Sequence, residues 1–297
     1  MKLSSTSLLA SLAIACTAMF SAPAAYAQGT FTLGTGTANN CLGTVSGQAY
    51  DTVNCSVGSV TASMQAFGYM SAFSATATAG WQAGRIGDHD GAGFGAYTGS
   101  NESTAGNQHA FDSLTTGCAT GSGASGGSNP LSTANAGCGG FAEGLLMNFG
   151  TSKVAMSTVG IGYFLGDSDL SVYAWTGGGT GPTMSTQTAT SAGVMAGWTL
   201  VGSHDMDPTG GSNPFNTGSA VYSSYFMITT YFGATNGVLD QGNDAFKINV
   251  VTVGTCSGSV STAGVCTPGT APEPGSLGLA AVAILGVGAA RRRRFFG

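Results

Sequence analysis

Short apolar stretches alternate with Gly-, Ser- and Asn-rich turns along most of this chain. Within Val60–Trp81, residues Met64, Ala66, Gly68, Met70 and Ala72 fall on one side of an extended backbone, and Phe67, Tyr69 and Phe73 on the other. Within Leu170–Trp175, residues Leu170, Val172 and Ala174 share one side, and Ser171, Tyr173 and Trp175 the other. Period-two alternation with β-branched and aromatic residues predicts strands rather than helices. Further strands are predicted around Phe31 and Leu33, and over Phe141–Phe149, Val154–Leu165, Trp198–Val201, Val221–Phe232 and Ala245–Val253, with a turn at Gly177–Pro182. Many strands and little helical periodicity predict an all-β fold, an antiparallel β-sandwich or jelly roll over residues 28–253. Thr115–Gly140 reads as a long loop that needs a tether. Residues 254–270 read as a Gly/Ser/Thr linker.

Both ends break this pattern. Lys2, the apolar run Leu8–Phe20 and the Ala25-Tyr26-Ala27 motif form a secretory signal peptide, with cleavage leaving Gln28 first. Cys16 belongs to the discarded peptide, because Ala13 stands where a lipobox prefers Leu. Residues 271–297 hold Pro272-Glu273-Pro274, an uncharged run from Gly275 to Ala290, then Arg291, Arg292, Arg293 and Arg294. Leu277–Ala290 would span about 21 Å as a helix, against roughly 30 Å of hydrocarbon, so it suits a removable anchor. The arginines fix its end on the cytoplasmic side.

These residues closely resemble the PEP-CTERM sorting signal of Gram-negative bacteria. The resemblance implies an exosortase that recognises Pro272-Glu273-Pro274, cleaves at or near it and passes the protein to the cell surface or extracellular polymer. The implied partners are signal peptidase, exosortase and, transiently, the inner membrane.

Removing both signals changes the charge. Residues 28–270 carry Arg85, Lys153 and Lys247 against twelve carboxylates, a net charge of −9 where the full chain has −5. Such a surface repels phosphates and excludes nucleic-acid partners. Six cysteines remain: Cys41, Cys55, Cys118, Cys138, Cys256 and Cys266. An even count in an exported protein predicts three disulfides. Six cysteines allow about fifteen pairings, and the grouping into close neighbours favours 41–55, 118–138 and 256–266.

Catalytic motifs are weak. Gly123-Ala124-Ser125-Gly126-Gly127 fits a nucleophile elbow in letters but lies in a Gly/Ser tract without flanking strand and helix. Gly91, Gly93 and Gly95, and Gly177-Gly178-Gly179, lack a βαβ setting, which dismisses nucleotide binding. His89, His109 and His204 have no metal-ligand spacing and are read as hydrogen-bonded structural residues. The carboxylates recur as Asp-x-Asp at Asp88/Asp90, Asp167/Asp169 and Asp205/Asp207. In a loop such pairs can converge on a hard cation; in a strand they share one solvated face.

Three elements carry a second resemblance. They are Gly93-Phe94-Gly95 leading to Gln108-His109-Ala110-Phe111-Asp112-Ser113, then Gly166-Asp167-Ser168-Asp169-Leu170-Ser171-Val172, then Asp244-Ala245-Phe246-Lys247. Together they resemble a family of exosortase-dependent surface proteins, with Ser113 in place of that family's Asn. The resemblance implies a surface β domain. The expected function is therefore an exported, non-enzymatic surface or matrix protein. The alternative is a calcium-dependent, lectin-like module that binds extracellular polysaccharide through exposed Trp and Tyr. Asp167 and Asp169, expected in a turn, join Asp112 and Asp244 as candidate ligands of a structural Ca2+.

Overall fold

A computed structural model describes residues 28–34, 40–41, 44–70, 80–89, 91–97, 110–112, 141–164, 168–189, 193–206, 213–218, 220–233, 239, 244–256 and 258–267. Residues 1–27, read as a signal peptide, residues 115–140, read as the loop bracketed by Cys118 and Cys138, and residues 268–297 lie outside them.

The chain is all-β, and every strand pairing among the described residues is antiparallel. Strand β1 (Gln28–Thr32) opens on the residue predicted to follow signal cleavage. It lies along β16 (Ala245–Thr255), with Phe31 opposite Val251. The first sheet runs β13 (Phe215–Asn216), β10 (Val154–Phe164), β16, β7 (Gly93–Tyr97), β6 (Arg85–His89) and β2 (Ala49–Tyr50). In the same sheet β1 and β8 (Phe111–Asp112) also pair with β16, and β14 (Tyr222–Ser223) with β10. The second sheet runs β12 (Trp198–Asp205), β11 (Asp169–Trp175), β15 (Tyr225–Thr230), β9 (Phe141–Asn148), β4 (Val60–Met70) and β3 (Val53–Val57), with β5 (Trp81–Ala83) beside β4.

One face of each sheet closes on a shared core. Phe31, Ile86, Phe94, Phe246, Ile248 and Val251 come from the first sheet; Met64, Ala66, Leu145, Leu170, Val172 and Phe226 come from the second. Each such large side chain contributes about 1.5–3 kcal/mol on burial. Close backbone approach requires glycine at one seam. Gly93 has φ +107°, and a Cβ there would fall onto the Ile248 carbonyl of β16.

The other face of the second sheet is buried too. Phe67, Trp81, Leu146, Tyr173, Trp198 and Met227 form a second cluster, and Met184 and Met195 reach it from the segment between β11 and β12. Sequence alternation placed Tyr173 and Trp175 on the side of the strand opposite Leu170, Val172 and Ala174; the tertiary fold covers them.

Two expected disulfides form, Cys41–Cys55 and Cys256–Cys266. The second corrects the linker reading of residues 254–270. Strand β16 runs to Thr255, and β17 (Ser259–Val260) pairs with β18 (Cys266–Thr267) in a hairpin. The hairpin docks on the domain: Tyr222 N–H donates to the Gly264 carbonyl at 2.7 Å, and Val221 bridges Val265. The compact unit runs Tyr26–Thr267. A Gly/Ser/Thr composition resembled a linker because a disulfide can close a hairpin with few apolar residues.

Candidate functional site

Strand register gathers carboxylates at one place. Asp169, the first residue of β11, lies opposite Asp205 of β12, and Asp112 of β8 lies opposite Ala245 of β16, next to Asp244. The Asp169 N–H donates to Asp244 Oδ1 at 2.7 Å. Around them, Tyr231 N–H donates to the Asp169 carbonyl at 2.9 Å, and Met206 N–H to the Ser168 carbonyl at 3.3 Å. Ser168, Asp169, Asp205 and Asp244 are all buried.

This corrects the expected turn: Asp169 is a fully buried strand residue. Asp167 lies outside the described residues. Among the described residues no three His, Cys, Asp or Glu side chains are grouped to hold a metal. Sequence reasoning paired Asp205 with Asp207 and missed its position opposite Asp169, because register is not written in local spacing. The Tyr231 hydroxyl is pushed up, by burial first and by the Asp169 charge second.

The remaining polar candidates are dispersed. Asp88 and His89 are buried on β6. His204, on β12, stacks on Phe215 with ring centroids 4.6 Å apart. His109, Asp90, Asp207 and the Gly123–Gly127 tract lie outside the described residues. Gly93 and Gly95 belong to a β-hairpin of β6 and β7, a setting that cradles no phosphate. Lys247 is fully buried, its Nζ 4.8 Å from the Tyr163 ring centroid. Desolvation lowers its pKa to about 8.

The outer aromatic face forms the second constellation. Residues 176–189 and 193–197 lie over it as a strap whose ends meet, since the N–H groups of Thr176 and Gly177 both donate to the Gly197 carbonyl, at 3.0 and 2.8 Å. Three sheet tyrosines clamp the strap by its backbone carbonyls. Tyr225 Oη donates to Thr180 at 2.9 Å, Tyr69 Oη to Ala189 at 2.9 Å, and Tyr173 Oη to Gly193 at 2.8 Å. Burial pushes the Tyr173 hydroxyl well up.

All three tryptophans of the chain lie on this face. Trp81 is 1% exposed and Trp198 8%, which corrects the expectation of exposed indoles. Half-buried Trp175 is flanked by Gly177 and Gly197, where any Cβ would strike its ring. The indole N–H groups of Trp81, Trp175 and Trp198 are buried without a hydrogen-bond acceptor, and Gln187 Oε1 on the strap is buried without a donor. Each such orphan costs about 1–3 kcal/mol. Edge-to-face contacts of Trp175 with Trp198 (5.4 Å, 69°) and Trp81 with Phe232 (6.3 Å, 68°) offset a fraction of that. Sequence reading reached the aromatic side of β11 but, of the strap, read only Gly177–Pro182, as a turn.

No helix among the described residues is long and apolar enough to cross a membrane; Leu277–Ala290 and Arg291–Arg294 lie outside them. No curated protein and no solved structure matches the chain. Residues 270–294 match the family described as the PEP-CTERM protein-sorting motif. This span contains Pro272, Glu273, Pro274 and all four arginines. The chain thus carries, over residues 270–294, the sorting motif of PEP-CTERM proteins, which are exported and processed by an exosortase.

Proposed function

We propose that residues 28–267 are a non-catalytic β domain displayed at the surface of a Gram-negative bacterium or in its extracellular polymer. The sorting motif that follows a disulfide-closed β unit at Thr267 is the observation that carries this reading. Signal peptidase removes residues 1–27 during export. The apolar segment then holds the intermediate in the inner membrane until exosortase acts at or near Pro272-Glu273-Pro274. The buried carboxylates serve the fold, as in the Asp169–Asp244 bond, rather than acid–base chemistry in an open cleft. Mass spectrometry of the mature protein tests the processing: its N-terminus is expected at Gln28, with Arg291–Arg294 absent. Surface material that retains those arginines in a host with active exosortase overturns it.

A second reading, a calcium-dependent glycan-binding module, is favoured by the concentration of tryptophan and tyrosine on one sheet face. Calcium would neutralise Asp112, Asp167, Asp169 and Asp244 in a domain with three cations.

A further inference from the structure

We infer that Gln28, once signal cleavage makes it the first residue, cyclises to pyroglutamate, so that the mature domain begins with a neutral lactam in place of an ammonium. The inference rests on the reading that residues 1–27 are removed during export, and it adds the fate of the new end. The phase of β1 carries it. Phe31 and Leu33 are fully buried, while Gln28 and Thr30 alternate to the exposed side. The backbone alternates in step. Leu33 N–H donates to the Asn249 carbonyl of β16 at 2.8 Å, so the N–H groups of Gly29, Phe31 and Leu33 face β16. Thr32 N–H donates instead to Asn40 Oδ1 at 2.6 Å, and the Thr32 carbonyl accepts from Asn40 N–H at 3.0 Å. Gln28 is in phase with Thr32 and stands opposite Gly254. Its nitrogen therefore points away from β16, and no ladder bond depends on it. The cross-strand partner is a glycine, and no described atom lies within 4 Å of a Cβ built there. A lactam ring at Gln28 thus meets no cross-strand side chain, and the Gly29–Val253 pair survives the reaction.

The chemistry needs no co-reactant. The neutral α-amine of Gln28 attacks the side-chain Cδ, the N–Cδ bond forms and the Cδ–Nε2 bond breaks. The Nε2 group leaves as ammonia, taking one proton from the amine. An α-amine titrates near about pH 7.7–8.0, so a reactive neutral fraction is present at neutral pH. The lactam offers an aminopeptidase no terminal ammonium. Trimming from the front, which would unpick β1 and bare the core under Phe31 and Leu33, is thereby blocked.

The test is mass spectrometry and Edman degradation of the exported protein, produced from the full chain in a Gram-negative host. Its N-terminal peptide is expected to begin at Gln28 and to be lighter than its sequence by one ammonia. Edman degradation is expected to fail until pyroglutamyl aminopeptidase exposes Gly29. Gln28→Asn keeps the amide on a side chain too short to close this ring. It is expected to be processed at the same place and to degrade openly from its first residue. Gln28→Ser is a second probe with the same expectation, should the first not be exported. A wild type that begins at Gln28 and degrades openly overturns the cyclisation while the processing reading stands. A block that either variant shares overturns the lactam as its cause. An N-terminus at any other residue overturns both.

Discussion

The backbone N–H of Asp169 donates to Asp244 Oδ1 at 2.7 Å, a bond between residues 75 apart in the chain. It ties the start of β11 in the second sheet to the start of β16 in the first. Both residues are buried, so the carboxylate replaces water for a strand-end N–H that would otherwise go unmet.

Asp244→Ala leaves that N–H buried and unpaired, and is expected to destabilise the domain by about 1–3 kcal/mol. Asp244→Asn retains an acceptor oxygen and should lose less. Urea unfolding of the two variants checks the order; equal losses would mean that charge, not the hydrogen bond, is what matters.

The calcium-dependent reading predicts a higher melting midpoint in calcium, since an ion that binds the folded form alone stabilises it. Melting curves in millimolar calcium and in chelator measure this. Asp167→Ala is expected to shrink the difference. Matching midpoints for the wild type would show that these aspartates only shape strand ends.

Lys247 sets a pH window. Its pKa falls from 10.5 to about 8 in the fold, by desolvation. Below pH 8 both states hold the proton, and the folded state bears the whole penalty of a buried charge. From pH 8 towards 10.5 the unfolded state binds more protons, so stability rises with pH, by up to about 3 kcal/mol. Tyrosine ionisation opposes the rise above about pH 10, since burial raises the Tyr173 and Tyr231 hydroxyls. Lys247→Met is expected to flatten the rise in denaturation curves between pH 8 and 10.

Non-reducing peptide mapping is expected to find 41–55 and 256–266 pairs. Each closes a short loop, with sequence separations of 14 and 10, worth about 3 kcal/mol in the chain-entropy account. Cys41 and Cys55 are also buried in the core, whereas Cys256 and Cys266 are half-buried in a peripheral hairpin. Cys55→Ala should therefore lower the melting midpoint more than Cys266→Ala.

Gly93→Ala is expected to destabilise by about 2 kcal/mol or more, from left-handed backbone and a methyl group forced onto the Ile248 carbonyl. Gly178→Ala, with open space around its Cα, is the control and should change little.

The sequence by itself determined whatever depends on local period and local chemistry. Alternation in Leu170–Trp175 assigned Leu170, Val172 and Ala174 to one face, because a strand reverses its side chains at every residue, and that face lies in the core. The sorting motif is legible because it is contiguous: Pro272-Glu273-Pro274, an apolar run and four arginines stand in order within residues 270–294. Close cysteine spacing favoured the two pairings seen. Only the tertiary structure decided what lies far apart in the chain. It set Asp169 against Asp205 and Asp244, since register across strands follows from packing of the whole sheet. It turned residues 254–267 from a linker into a docked hairpin, through contacts with Val221 and Tyr222. And it drew the strap over Tyr173 and Trp175, so that the side of β11 opposite Leu170, Val172 and Ala174 became a second buried layer.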